Sequence, residues 1–432
     1  MKKSRVLFAS LAGSVIEWYD FYLYGTATGL VFTTLFFPNH DPAISLLLAF
    51  VTFGAGYAAR PIGSILFGHM GDRIGRKAAL MFTLIGMGGS SMLIGVLPTY
   101  AQVGLAAPVI LVVLRLIQGI SLGGEWGGAI LLATESAPKG VRGLYGSIPQ
   151  LGVPIGLVAG SFSLTLISSL TTDAQFLSWG WRIPFLLSGV LIGLAIWVRS
   201  GIEETPEFKA QKDSGDLAKV PIIETLKHDW RSVLQVIGLK IGDGFFNVFI
   251  MSYVLVFTTL YFGYSQDSAL TGLTIGCATM LITIPVIGYI SDFIDRKIIY
   301  FGGLTLLFVL AIPYFTMIGR GVGSFYMMQA VVLGVIWGAI FSTQGTLFSE
   351  LFPAKVRYTG LSVGYQVAAA IAGFGPLIWT AMAESYGPSP LVFGGFMMAG
   401  LAISLALCIL SPHFSRRKEK DQTLKPHKLD LN

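Results

Sequence analysis

Gly68-His69-Met70-Gly71-Asp72-Arg73-Ile74-Gly75-Arg76-Lys77 returns, 220 residues on, as Gly288-Tyr289-Ile290-Ser291-Asp292-Phe293-Ile294-Asp295-Arg296-Lys297, with Gly, Asp, Ile, Arg and Lys in register. A second echo pairs Glu135, Pro138, Val141 and Arg142 with Glu350, Pro353, Val356 and Arg357, 215 residues apart. Two independent motifs at nearly one offset, about half of 432 residues, mark a tandem duplication. Each stretch sits between long apolar runs, so the duplicated unit is a set of helices rather than a soluble repeat.

The apolar runs set the fold class. Only 12% of the residues are charged and the mean hydropathy is +0.71, whereas a soluble domain is about one quarter charged. Crossing the hydrocarbon takes roughly 20 residues per helix. Spans are predicted at about 11–37, 43–67, 78–97, 107–134, 144–170, 182–200, 232–262, 268–290, 298–318, 324–349, 358–383 and 390–411. The result is an all-α membrane protein of twelve transmembrane helices in two pseudo-symmetric six-helix bundles. The N-terminal bundle runs over 1–200, an inter-bundle loop over 201–231, the C-terminal bundle over 232–411, and a basic tail over 412–432. The opening run could pass for a signal peptide, but Glu17 and Asp20 interrupt it and no cleavage site follows, so it reads as an uncleaved first helix.

The distribution of positive charge tests this topology. With a cytoplasmic N-terminus and alternating sides, 24 of the 29 Lys and Arg fall on the inside. Arg182 and Arg320 fall outside, and Arg60, Arg115 and Lys240 lie within spans. This is the positive-inside pattern, with both termini cytoplasmic. It accounts for the net charge of +6 and leaves nucleic-acid binding without support. Cys277 and Cys408 lie far apart in apolar runs, the five His have no ligand spacing, and no Walker loop, H-E-x-x-H or G-x-S-x-G occurs. No metal, cofactor or enzyme chemistry is expected.

The repeated cassettes read as gates. The carboxylates of Asp72 and Asp292 can accept from the open amides of a neighbouring helix N-terminus. The basic residues that follow, Arg73, Arg76 and Arg296, can reach Glu135 and Glu350, with Arg142 and Arg357 beside them. The plainer reading is that these are topogenic charges, although topology does not require the Asp.

Charges inside spans cost about 2.5–3.5 kcal/mol each on insertion scales and commonly mark a cavity. Glu17, Asp20 and Tyr24 share one helical face, and Lys240, Asp243 and Asn247 repeat that spacing in the seventh span. In the fourth span Arg115 and Trp126 share a face, with Glu125 and five Gly between Gly119 and Gly128. A guanidinium is a natural fork for a substrate carboxylate, and a buried carboxylate is a natural proton carrier. Structural alternatives stand beside each: Lys240–Asp243 as a silent ion pair, Arg115 as the partner of Glu17, Asp20 or Glu125, and Glu125 as the group that orients Arg115. Arg60 reads as a snorkelling charge near the inner end of its span.

These residues resemble the major facilitator superfamily, and more narrowly its metabolite:proton symporter family. The likeness covers nearly the whole chain. It rests on Ile16–Tyr22, Ala59–Gly63, the Gly68–Lys77 cassette, Arg115–Gly128, Ser178–Phe185, Glu203–Glu207 and Pro353–Gly360. It implies a rocker-switch fold in a bacterial cytoplasmic membrane, a monomer as the functional unit, and proton-coupled uptake of a small solute. Family members carry shikimate, 2-oxoglutarate, citrate, or proline and betaine. Thr171–Glu207 and Gly364–Ala368 look most like shikimate transporters, while Leu239–Asn247 departs from them. The short tail lacks the heptads of the osmosensory members, and Asp295 stands where a Gly is usual, which implies a looser second gate. A passive facilitator of the same solutes and a nutrient receptor on a transporter scaffold are the competing functions.

Overall fold

The computed structural model describes residues 3–38 and 42–410; the basic tail read from the sequence lies outside them. Among the described residues, ten helices are long and apolar enough to cross a membrane. Two more, Lys3–Ala27 and Pro42–Arg73, bring the number to twelve. In chain order the twelve are α1 Lys3–Ala27, α2 Pro42–Arg73, α3 Arg76–Gly95, α4 Ala106–Glu135, α5 Arg142–Leu170 and α6 Arg182–Ser200. The second set is α7 Trp230–Phe262, α8 Gln266–Ile290, α9 Arg296–Ile318, α10 Val322–Ser349, α11 Ala354–Tyr386 and α12 Pro390–Leu410.

Several helices outrun the spans read from hydropathy. The 32 residues of α2 rise roughly 48 Å at 1.5 Å each, well beyond the hydrocarbon, so its last turns carry Asp72 and Arg73 clear of the membrane. The inter-bundle stretch is also more ordered than its polarity suggested. It holds two helices, Pro206–Ser214 and Pro221–His228. The first starts where the Thr205 hydroxyl caps the Phe208 amide with Pro206 at the first helical position, and it stops at Gly215 in the left-handed conformation.

The packing repeats with the sequence. In the first bundle α1 packs on α5 and α6, α2 on α4, and α3 on α4 and α6. In the second, α7 packs on α11 and α12, α8 on α10, and α9 on α10 and α12. The bundles meet along α2–α11 and α5–α8, which are each other's counterparts. Large apolar side chains such as Phe82, Phe162, Trp197, Leu260, Ile282 and Leu391 lie exposed, an outer surface suited to lipid rather than water. Inside, α2 and α4 approach so closely that a Cβ on Gly63 would lie 1.7 Å from the Ile120 carbonyl oxygen, and one on Gly119 would lie 2.1 Å from that of Gly56. Only glycine permits this contact.

One buried ion pair ties the first bundle together. Arg199, in the last turn of α6, bonds Glu125 of α4, and its Nη1 also donates to the Leu80 carbonyl of α3 at 2.6 Å. Its Nε donates to the Ala9 carbonyl of α1, and the Thr83 hydroxyl donates to Glu125 at 2.6 Å. A Cβ on Gly13 would fall 1.8 Å from the Arg199 guanidinium, so α1 offers a bare backbone there. Arg199 is buried, and one reading is corrected: Glu125 is bonded to Arg199, not to Arg115. Removing one partner strands the other charge, and Arg199→Ala is expected to cost about 3–5 kcal/mol. Thermal unfolding in detergent should show that loss, with a smaller one for Arg199→Met combined with Glu125→Leu. A double variant as unstable as the sum of the singles would rule out the pairing as the cause.

Candidate functional site

At the end of the molecule where the basic cassettes lie, the bundles are joined by two matching contacts. Asp72 accepts from the Tyr358 and Thr359 amides at the start of α11, at 3.1 and 2.8 Å. Asp292 accepts from the Gly143 and Leu144 amides at the start of α5, at 2.6 and 3.0 Å. In each case a carboxylate neutralises the positive end of a helix dipole and satisfies amides that have no partner within their own helix.

The arginines brace these carboxylates. Arg76 lies 3.2 Å from Asp72 and 3.3 Å from Glu135, and donates to the Gly71 carbonyl at 2.6 Å and the Ala354 carbonyl across the seam at 3.3 Å. Arg296 bonds Glu350 at 2.6 Å and Asp292 at 3.1 Å. The two copies differ in wetness: Arg76 and Glu135 are 0% and 1% exposed, Arg296 and Glu350 18% and 40%. The turns differ as well. Gly75 adopts φ of +131°, whereas Asp295 keeps φ of −58° and caps α9 by accepting from the Lys297 amide. Arg73 stays at the surface, donating to the Lys219 carbonyl at 3.2 Å.

A third element was not read from the sequence. Glu207, on the first loop helix, bonds both Arg142 of α5 and Arg357 of α11, and so links the two bundles from outside. Partial burial pushes its carboxyl up, but the Arg357 and Arg142 guanidiniums outweigh that and hold it below the usual carboxylate range. Arg357 also lies 3.6 Å from Glu135, which in turn accepts from the Thr205 hydroxyl at 2.6 Å. The signal was present in Thr205-Pro206-Glu207, a helix start that fixes where the carboxylate points.

Deeper in, the first bundle holds a hydrogen-bonded relay. Arg115 donates to Gln118 at 2.6 Å, Gln118 donates to Ser91 at 2.7 Å, and Ser91 donates to Asp20 at 2.6 Å. Ser188 of α6 donates to the other Asp20 oxygen. The Arg115 guanidinium lies 4.1 Å from the Tyr24 ring centre, and the Tyr24 hydroxyl bonds Thr52 at 2.7 Å. The structure thus joins Arg115, Asp20 and Tyr24 but leaves Glu17 out of the relay. Glu17 is buried, and its Oε2 has no hydrogen-bond partner. Arg60 does not snorkel. It is buried, with its guanidinium 4.3 Å from the Tyr57 ring and 5.9 Å from that of Phe21.

The second bundle answers with a bonded pair. Lys240 and Asp243 lie 2.6 Å apart, and Asp243 accepts from Gln344 at 3.2 Å and from the Tyr300 hydroxyl at 3.4 Å. The Lys240 ammonium is 5.0 Å from the Tyr365 ring. The Asn247 side-chain oxygen is buried and has no hydrogen-bond partner. Between the bundles, Trp126 stacks on Tyr365 with centroids 3.6 Å apart and planes at 16°. Trp126 also donates to Gln150, and Gln150 to the Phe341 carbonyl of α10. Trp126 therefore works at the seam. Among the described residues no group of three or more His, Cys, Asp or Glu is placed to hold a metal ion. The arrangement sets buried groups able to hold a charge or a proton in both bundles, and polar bonds join the bundles at the basic end.

Comparison with known proteins agrees with this architecture. Residues 10–376 match the Major Facilitator Superfamily. The chain is 39% identical over 411 residues to the shikimate transporter of Escherichia coli (strain K12), covering 94% of each. It is 32% identical over 393 residues to the proline/betaine transporter of the same organism, covering 89% of this chain and 78% of that one. The solved structure of the proton:xylose symporter XylE bound to 6-bromo-6-deoxy-D-glucose superposes with a TM-score of 0.71 over 94% of each chain, at 17% identity, a likeness of fold. With the family matched over most of its length and a duplicated six-helix bundle as its frame, the chain belongs to the Major Facilitator Superfamily of multi-pass membrane transporters.

Proposed function

We propose that the protein is a secondary active transporter that carries a small polar metabolite together with protons by alternating access. It works as a monomer in a bacterial cytoplasmic membrane with the basic end facing the cytoplasm. The observation that carries this reading is the double clasp at the basic end. Two carboxylates, Asp72 and Asp292, each hold the first turn of a helix in the other bundle. Bonds of this kind, on one side only, suit a carrier that rocks open by parting them. Glu207 reinforces the same closed arrangement by spanning Arg142 and Arg357.

Proton coupling is supported by the buried carboxylates Glu17 and Asp20 near mid-membrane, where an ionised group is costly unless its partner set is complete. The relay from Arg115 to Asp20 gives that bundle a fixed charge pattern against which a proton or a solute charge can be read. The solute class follows from the relatives, which are named for shikimate and for proline and betaine. Lys240, Asp243 and Asn247 supply the opposing polar wall.

Reconstituted protein with an inward pH gradient should accumulate a small organic acid such as shikimate above its outside concentration. Asp20→Asn and Glu17→Gln should separate coupling from movement by losing accumulation while keeping solute exchange. Whichever variant keeps full gradient-driven accumulation removes its residue from the coupling role, and uptake that only equilibrates makes the protein a facilitator. In a thermal-shift screen of organic acids and zwitterions, a ligand at about 100 times its dissociation constant should add roughly 2.7 kcal/mol to stability.

Glu207→Gln should loosen the clasp. A cysteine at Ser362, buried where α11 meets Gly127, would then react faster with a thiol reagent applied from the basic side of a protein lacking Cys277 and Cys408. Because Glu207 titrates below the ordinary carboxylate range, its contribution is complete above that range and is lost as the pH falls through the depressed value. The unsubstituted clasp should therefore loosen by this route only in strong acid. Equal labelling rates with and without Glu207→Gln would remove Glu207 from the gate.

A further inference from the structure

Four kinds of buried charge lie in the membrane part of the protein, and they differ in how they are partnered. Arg199 is bonded to Glu125, and Lys240 to Asp243. Arg115 is engaged by Gln118 and Tyr24 and is tied through Ser91 to Asp20. Glu17 and Arg60 are the exceptions. Among the described residues Arg60 makes no hydrogen bond or ion pair, and its Nε is buried without a partner, although the side chain is only 7% exposed. Glu17, 4% exposed, likewise leaves Oε2 unpartnered. Glu17 stands one helical turn before Phe21 on α1, and the Phe21 ring lies 5.9 Å from the Arg60 guanidinium, yet the two charged groups form no ion pair among the described residues.

Their surroundings come from both bundles. The first bundle supplies Tyr57 and Phe21 around the Arg60 guanidinium. The second supplies Gly373 of α11, where a Cβ would lie 2.7 Å from the Tyr57 ring, and, on the same helix, Tyr365 stacked on Trp126. A buried guanidinium and a buried carboxylate, each with an unpartnered atom, and the aromatic rings beside the guanidinium are the groups that a compact solute with one anionic group calls for. Such a site on the seam can be loaded from one side and emptied to the other.

Resting on the symport reading above, we infer that Arg60 holds the carboxylate of a singly charged organic acid, and that Glu17 takes the one proton that this anion's arrival requires. The charge balance carries the assignment. Counted as formal charges, Glu17 and Asp20 offset Arg60 and Arg115, and the two bonded pairs cancel. A monoanion brings one negative charge, and one proton on Glu17 restores neutrality; the proton enters from the outer water and leaves to the inner water, while the solute remains a carboxylate throughout. A zwitterion is already neutral and calls for no proton. A dianion leaves one charge uncompensated in a low-dielectric site, at high cost. The titratable and charged groups facing Glu17 are Arg60 and Tyr57 on α2, Glu125 with its partner Arg199 on α4 and α6, and Tyr365 on α11, with Asp20 on its own helix. Glu125 is held by Arg199, so the proton and the solute compete mainly for Arg60.

The test uses the full chain in proteoliposomes, with shikimate, quinate and benzoate as singly charged acids and proline as a zwitterion. Uptake of at least one acid driven by a pH gradient, with no current on a solid-supported membrane, is the expected result. Arg60→Gln should raise the concentration needed for half-maximal exchange by roughly tenfold or more, as expected for loss of a charge-assisted fork. Glu17→Gln should keep exchange, lose accumulation and make exchange independent of pH between 5 and 8. Should Arg60→Gln fail to fold, Arg60→Lys carries the test: charge balance and electroneutral uptake persist while affinity falls. The inference is overturned by an acid-driven current, by unchanged affinity in the folded Arg60 variants, or by uptake of proline and none of the acids. Acid uptake in the unsubstituted protein that ignores the pH gradient overturns the symport reading itself, whereas gradient-driven uptake insensitive to Arg60 overturns only this assignment.

Discussion

A carboxylate set against the open amides of a helix in the other bundle is the interaction on which the rest of the structure turns. Asp72 and Asp292 each complete a helix that cannot complete itself, since the first amides of α11 and α5 have no acceptor within their own turns. The bond joins two bodies that also meet through small residues, aromatic faces and a few further polar contacts, such as Glu207 between Arg142 and Arg357. It is strong because charge and dipole agree, and it is reversible because water can take either partner's place once the bundles part. The bracing arginines hold the carboxylates in place. The relay and the charge cluster deeper in the membrane lie beyond this closure, so their access to water depends on it.

Much of this was legible in the sequence, for a specific reason. Duplication prints the same chemistry twice, and any contact made within one short stretch or at its symmetric copy shows up as a repeat. Asp72 with Asp292, Arg76 with Arg296 and Glu135 with Glu350 were visible in that way. Partners drawn from distant, unrepeated positions were not. Arg199 sits 74 residues from Glu125, and nothing in either stretch marks the other as its partner. Arg60 looked like a charge bound for the interface because it lies near a span's end. The extra length of α2 instead keeps it within the packed interior, beside Tyr57. Glu207 was hidden for the opposite reason: a polar segment gives no periodic signal, and only its helix start fixes the direction of the side chain.

The halves share a pattern of packing but not a pattern of solvation. The first cassette is dry, with Arg76 and Glu135 sealed beneath the loop helix, while Arg296 and Glu350 stand partly in water. Bonds between exposed charges are weak and screened, whereas removal of a buried partner is costly. Asp295 in place of a glycine does not prevent the second carboxylate from reaching its helix; the turn takes another backbone route and caps α9 on the way. The looseness inferred from that residue thus lies in hydration rather than in missing bonds. Rocking about such a seam need not break both clasps at once, since the wetter one has less to lose.

The seam between α5 and α8 has a mechanical side. A Cβ on Gly143 would lie 2.1 Å from the Ser291 hydroxyl, and one on Gly288 would lie 2.2 Å from the Ser147 hydroxyl, so each helix presents bare backbone to the other. Interlocked side chains on both faces would act as teeth, and each change of angle would have to lift one set over the other. Glycine against serine leaves a nearly smooth bearing. At this seam, then, little side-chain interlock would resist a change of angle, and the polar bonds between the bundles lie at the basic end, where Asp292 and Glu207 reach α5.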